Sequence, residues 1–156
     1  MTTNPARRSA AAAAALLIAL TLGGCSILSG VVTGHHTPSQ TSAGHSESDA
    51  LDRLVESAQS QIAGVKANSG DTYSDITITA VHPNTIVYTY TYSKQLDAGA
   101  AAAYFDTQAA TIQQTCDTSV FPSMKEVGIL SGQHATYTYL NPDGSLIWSR
   151  TFSASD

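Results

Sequence analysis

The sequence predicts an α+β domain in which two helix–hairpin units build a four-stranded antiparallel sheet with helices on one face. Two segments repeat apolar residues at helical spacing, and four segments alternate apolar and polar residues. A turn sequence lies inside each pair of alternating segments. These elements fall within residues 49–156, which is enough chain for one hydrophobic core.

The first predicted unit is a helix followed by a hairpin. Ser48 is the expected N-cap of the helix, and Gly70 marks its end. Residues 73–81 and 86–93 then alternate on either side of a turn at residues 82–85. The apolar stripe that indicates the helix consists of Leu51, Leu54, Val55, Ala58, Ile62 and Val65.

The second predicted unit begins with a helix over residues 98–115, for which Asp97 is the expected N-cap. The apolar stripe of this helix ends at Cys116, so we expect this thiol to be buried and unpaired. A short further helical stretch is predicted over residues 119–127, because a proline stands in its first turn and a glycine follows it.

The second hairpin is predicted from residues 134–140 and 145–152, which flank the turn sequence Asn-Pro-Asp-Gly at residues 141–144. Gly144 is expected to adopt a positive φ, which this kind of turn requires and which glycine reaches without steric cost. The two units match in the order of their elements, but their residues do not align one to one.

Residues 1–24 have the features of a bacterial lipoprotein signal peptide. Arg7 and Arg8 form a positively charged start, and residues 9–22 are uncharged and apolar. This apolar stretch is shorter than the about 20 residues that a membrane-spanning helix needs. It ends in the sequence Leu-Gly-Gly-Cys at residues 22–25, which resembles a lipobox.

Cys25 is therefore the predicted lipidation site, and its lipid would hold the chain at the extracytoplasmic face of the cell membrane. Residues 25–48 contain this cysteine and a flexible linker rich in Ser, Thr and Gly. Two alternatives remain at this point, namely a plain secretory signal with an incidental cysteine and a short membrane anchor.

Charge and motifs argue against several classes of function. The net charge of −5, with only seven Lys and Arg residues, gives no basic patch for nucleic acid. Nucleophile-elbow, dinucleotide-binding, P-loop and zinc-protease motifs are absent from the sequence, so no catalytic residue, cofactor or metal site is predicted. His82 and His134 are the candidate general bases of the folded part, and both are expected to be solvated residues at the ends of elements.

The hairpins are rich in aromatic residues, and these are the candidate binding residues. Exposed on the open face of the sheet, such rings would stack against a glycan or an envelope protein. The alternative is that cross-strand aromatic pairs only stabilise the sheet. The candidates are Tyr88, Tyr90, Tyr137, Tyr139 and Trp148.

Three stretches carry a resemblance to a known family. They are residues 72–76 (Thr-Tyr-Ser-Asp-Ile), residues 84–90 (Asn-Thr-Ile-Val-Tyr-Thr-Tyr) and residues 137–144 (Tyr-Thr-Tyr-Leu-Asn-Pro-Asp-Gly). Together they resemble small extracytoplasmic lipoproteins of Gram-positive bacteria that are built on a domain of unknown function. The resemblance implies a location and a fold, and it transfers no catalytic residue.

The expected function is that of a membrane-anchored extracytoplasmic lipoprotein that acts as a non-catalytic binding module of the cell envelope. Its expected partners are the membrane, through the lipid on Cys25, and an envelope protein or glycan. The chain is expected to be a monomer that needs no cofactor. The alternatives are a passive structural component of the envelope and an unrecognised hydrolase.

Overall fold

The structure is a computed structural model that describes residues 43–155. The predicted signal peptide, the lipidation site Cys25 and most of the predicted linker lie outside these residues. In chain order the elements are α1 (Ala43–Ser60), α2 (Ile62–Ser69), a 3₁₀ turn (Gly70–Thr72), β1 (Tyr73–Val81), β2 (Thr85–Tyr92), α3 (Ala98–Thr115), a π-helical turn (Cys116–Val120), α4 (Phe121–Glu126), β3 (His134–Leu140) and β4 (Leu146–Ser153).

The fold is α+β with a four-stranded mixed sheet in the order β1-β2-β3-β4. The two outer pairs are antiparallel hairpins, as the turn sequences predict, but the central strands β2 and β3 are parallel. The prediction of a fully antiparallel sheet is therefore wrong in its central pair. The reason is the connection: α3 and α4 carry the chain from Tyr92 back to the end of the sheet where β2 begins, so His134 pairs with Thr85.

The first helical region is longer at its N-terminal end and more broken than the sequence predicts. Ser48 lies inside α1, so it is not the N-cap, and residues 43–48 are helical although they were predicted to belong to the linker. The helix is interrupted at Gln61, and α2 follows it as a separate helix. Gly70 ends α2 with a φ of 58°, a conformation that favours glycine.

The second helical region begins as predicted and continues further than predicted. Asp97 caps α3, because its Oδ1 accepts a hydrogen bond from the Ala100 N–H at 2.8 Å. At the other end the Phe121 N–H donates to the Cys116 carbonyl, five residues back, so one π-helical turn joins α3 to α4. The short helical stretch predicted over residues 119–127 is therefore confirmed as α4, and it continues directly from α3 through this turn.

The core lies between these helices and one face of the sheet. α3 packs along β4, and α1 packs against β1 at the opposite edge. Phe105 of α3 stacks on Tyr139 of β3 with the ring centroids 4.1 Å apart, which fixes the helix to the sheet. Cys116 is fully buried in this core, as its place in the apolar stripe predicts.

The second hairpin forms as predicted, and its turn also holds the start of α3. Gly144 has a φ of 82°, which confirms the expected positive value. Asn141 is 1% exposed, and its Oδ1 accepts from the Leu96 N–H at 2.9 Å. Its Nδ2 donates to the Leu96 carbonyl and to the Ser145 hydroxyl. This one buried amide therefore ties the β3–β4 turn to the segment that leads into α3.

Candidate functional site

The five aromatic residues predicted to bind a partner lie in the hydrophobic core. Their exposed fractions are between 3% and 8%, because they stand on the face of the sheet that the helices cover. The rings pack against one another across the central strands: Tyr88 stacks on Tyr137 at 4.9 Å and Tyr90 on Tyr139 at 5.1 Å between centroids. The hypothesis of an exposed aromatic surface is therefore corrected. The five buried residues that were predicted to form this surface are Tyr88, Tyr90, Tyr137, Tyr139 and Trp148.

Burial changes the acid–base chemistry of this aromatic core. It raises the pKa of Tyr90 to about 12 and also raises the pKa of Tyr137 and Tyr139, because a phenolate loses solvation inside the core. Burial raises the pKa of the Cys116 thiol to about 12 as well, so this thiol is neutral and inert at neutral pH. The hydroxyl of Tyr92 is buried and has no hydrogen-bond partner among the side chains and backbone groups that the structure describes.

These raised pKa values predict how the domain responds to alkali. An unfolded tyrosine ionises near pH 10, and the folded core holds its tyrosines neutral above that value. Their contribution to stability is therefore complete below pH 10 and is lost as the pH rises further. We expect the tyrosinate absorbance of the six core tyrosines to appear together with the loss of near-ultraviolet circular dichroism. Denatured protein, the control, should titrate near pH 10, and core tyrosines that ionise there with the fold retained would contradict the prediction.

The opposite face of the sheet, which we call the hydroxyl face, is not covered by any helix that the structure describes. Its side chains are those that alternate with the buried rings, and all of them are half-buried or exposed. One row crosses all four strands, from Thr77 through Thr89 and Thr138 to Ser149. The Thr and Ser residues of this face are Thr77, Thr79, Thr85, Thr89, Thr91, Thr136, Thr138, Ser149, Thr151 and Ser153, and the face also holds Asp75, Val81, Val87, His134, Leu140 and Leu146.

The hydroxyl face is a regular grid with little charge. Strands lie about 4.8 Å apart and side chains on one face recur about every 6.6–6.8 Å along a strand, so the side chains of this face form rows in two directions. Thr136 and Thr151 share a hydrogen bond of 2.8 Å between their Oγ1 atoms. Asp75 and His134 are the titratable residues in these rows, and they lie near opposite ends of β2.

His134 also forms a hydrogen bond with Ser153. Its Nδ1 lies 2.9 Å from the Ser153 Oγ, within the distance that proton transfer requires. In the part of the chain with described side chains, no carboxylate contacts this imidazole to orient it, as it would in a catalytic triad. The other candidate base, His82, has its Nε2 3.2 Å from Asp52 Oδ1, on the side of the domain where α1 packs.

Sequence reasoning missed the hydroxyl face although its signal was present. In each strand the residues that alternate with the aromatic positions are mostly Thr or Ser, and both sets favour strands. Alternation defines two faces but does not say which one the helices cover. The aromatic set fills the core because it offers far more apolar area to bury.

Metal ligands and membrane spans were also sought in the described residues. Among residues 47–155, whose side chains the structure describes, no cluster of His, Cys, Asp and Glu could hold a metal ion. In the same part of the chain, none of the helices combines the length and the apolar character needed to cross a bilayer.

The fold and its faces define an α+β domain with an aromatic core and an uncovered, hydroxyl-rich sheet face. Residues 50–152 match the family DUF4854, which is described as a domain of unknown function, and the chain belongs to this family. No curated protein and no solved structure matches the chain.

Proposed function

We propose that the protein is a lipid-anchored, non-catalytic binding module at the extracytoplasmic face of the cell membrane, and that its hydroxyl face binds an uncharged glycan of the envelope. The hydroxyl face is the single observation that carries the proposal. The lipobox-like sequence that ends at Cys25 supports the anchor, because a diacyl lipid on this cysteine gives stable membrane binding.

The chemistry of the hydroxyl face fits a neutral polyhydroxylated chain. Each Thr or Ser hydroxyl both donates and accepts hydrogen bonds, as sugar hydroxyl groups do. Each Thr also presents a methyl group, which can pack against the C–H groups of a sugar ring. Charge does not oppose such a ligand, since the central row from Thr77 to Ser149 contains no ionisable side chain.

The proposal predicts that one long charged side chain in the middle of the hydroxyl face abolishes binding. Thr89 pairs with Thr77 on one side and Thr138 on the other, so a Thr89→Lys side chain would lie across the central row. We expect the amount of full-length protein, in detergent, that sediments with purified cell-wall glycan to fall about tenfold. A tenfold fall corresponds to about 1.4 kcal/mol of binding free energy.

The matched control is Thr111→Lys, which places the same side chain on an exposed position of α3, away from the sheet. It should leave co-sedimentation unchanged, and both variants should unfold at the same temperature as the unmodified protein. Equal binding by Thr89→Lys and unmodified protein would refute the hydroxyl face as the binding surface. Absence of binding by the unmodified protein would favour the alternative, a passive structural component.

The Ser153–His134 pair is the observation that favours the remaining alternative, a hydrolase. A serine hydrolase needs its imidazole oriented and its oxyanion stabilised as well as a nucleophile within reach. The structure supports only the nucleophile–base contact, so binding without catalysis remains the better-supported function. If unmodified protein releases a soluble product from the glycan and the Ser153→Ala protein does not, then a hydrolase is the better-supported function.

A further inference from the structure

A groove of about 550 Å³ lies between the end of β4 and the helical segment that runs through the π-helical turn into α4. This volume falls within the range of about 300–1,000 Å³ that is usual for small-molecule sites. None of its lining residues belongs to the hydroxyl face, so the groove is independent of the function proposed above. It is lined by Asp117, Phe121, Pro122, Lys125, Glu126, Ala154 and Ser155.

Charged and apolar groups meet in this groove along one side of the helical segment. Asp117, Phe121 and Lys125 follow one another at intervals of four residues, so they lie along one side of the helical segment. Phe121 is 3% exposed and belongs to the core, which makes its ring part of the floor. π-helical turns are rare and often mark functional sites.

The carboxylate of Asp117 is held in place by a neighbouring side chain. The Nε2 of Gln113 donates to Asp117 Oδ1 at 2.8 Å and to the Ser153 carbonyl at 3.1 Å. Gln113 thereby connects α3 and the π-helical turn to the end of β4. The groove therefore has one fixed carboxylate on its wall as well as an apolar floor.

The charges around the groove define the class of ligand. Asp117 and Glu126 are anionic and Lys125 is cationic, and no ion pair joins the three where the structure describes their side chains. We propose that the groove binds a small zwitterion with a free ammonium group and a free carboxylate, such as an amino acid or a dipeptide. The ammonium group lies against Asp117, the carboxylate meets Lys125, and a small apolar side chain rests on the floor.

Titration of the full-length protein, in detergent, with the dipeptide alanyl-alanine tests this proposal. We expect saturable shifts of the backbone NMR signals of Asp117, Lys125 and Ser155, which line the groove. N-acetylation of the dipeptide removes its ammonium charge, and amidation removes its carboxylate. Each change should weaken binding about tenfold, since each deletes a charge-assisted contact.

Two variants and their matched controls separate specific binding from loss of fold. Lys125→Met should weaken binding of alanyl-alanine about tenfold and leave its amide derivative unaffected, whereas Asp117→Asn should weaken binding of both ligands. Lys94→Met and Asp71→Asn make the same changes at exposed positions outside the groove, and they should have no effect. Absence of shifts at millimolar dipeptide, or equal binding of the N-acetylated amide, would overturn the proposal.

Discussion

Replacing Phe105 by alanine is expected to lower the free energy of unfolding by about 3–5 kcal/mol, which is the usual cost of removing a buried phenylalanine ring. Phe105 is 2% exposed, and its ring stacks on Tyr139 and on Trp148, with centroids 4.1 Å and 5.4 Å away. Its removal leaves a cavity where α3 meets the sheet. Urea unfolding, followed by far-ultraviolet circular dichroism, measures the loss.

The matched control for this prediction is Gln114→Ala, an exposed position on the same helix. It should change the free energy of unfolding by no more than about 0.5 kcal/mol. A Phe105→Ala variant that loses less than about 1 kcal/mol would show that α3 does not depend on this aromatic stack. If the free energy of unfolding of the variant has a different slope against urea concentration, then the unfolded or native ensemble has changed instead.

Several local features of the fold could be predicted from the sequence, because each of them depends on a single residue. Asp97 has the side chain that caps a helix, and the structure shows it doing so. Gly144 tolerates the positive φ that ends the second turn. Strict alternation of apolar and polar residues was enough to locate the strands, with bounds within one residue of those observed.

The direction of the central strand pair could not be predicted in the same way. Whether β2 and β3 run parallel depends on where the connecting helices return the chain, which is a tertiary property. The π-helical turn at Cys116 carries no sequence signal of its own, so the segment after it looked like a separate helix. Asn141 looked like an ordinary turn residue, and only the structure shows its contacts with Leu96.

The candidate binding surface was less predictable than the fold, because two sets of side chains compete for the same strands. Tyr88 and Thr89 are adjacent in β2 and point to opposite faces. Sequence analysis placed the binding function on the ring side, where aromatic chemistry is strongest. The helices need that same apolar area for the core, and this leaves the threonine side to face outward.

Replacing Cys25 by serine is expected to have the largest effect on where the protein is found. Serine cannot form the thioether that carries the diacylglycerol, and each buried methylene of that lipid contributes about 0.8 kcal/mol to membrane binding. We expect unmodified protein to fractionate with membranes and to enter the detergent phase. The Cys25→Ser protein should lose most of this partitioning, and the loss is measured by immunoblotting both fractions.

Cys116→Ala is the matched control, because it removes the other cysteine and leaves the lipobox-like sequence intact. Its membrane-bound fraction should equal that of the unmodified protein. Mass spectrometry of the mature N-terminus should find a lipid on Cys25 in the unmodified protein and in the control. If the Cys25→Ser chain is cleaved and still remains with the membrane, then the folded domain itself binds there and the lipid anchor is refuted. If the Cys25→Ser chain is not cleaved, the apolar side chains of its retained residues 9–22 can keep it in the membrane. In that case the mass of the mature unmodified protein decides between a lipid anchor on Cys25 and a plain secretory signal.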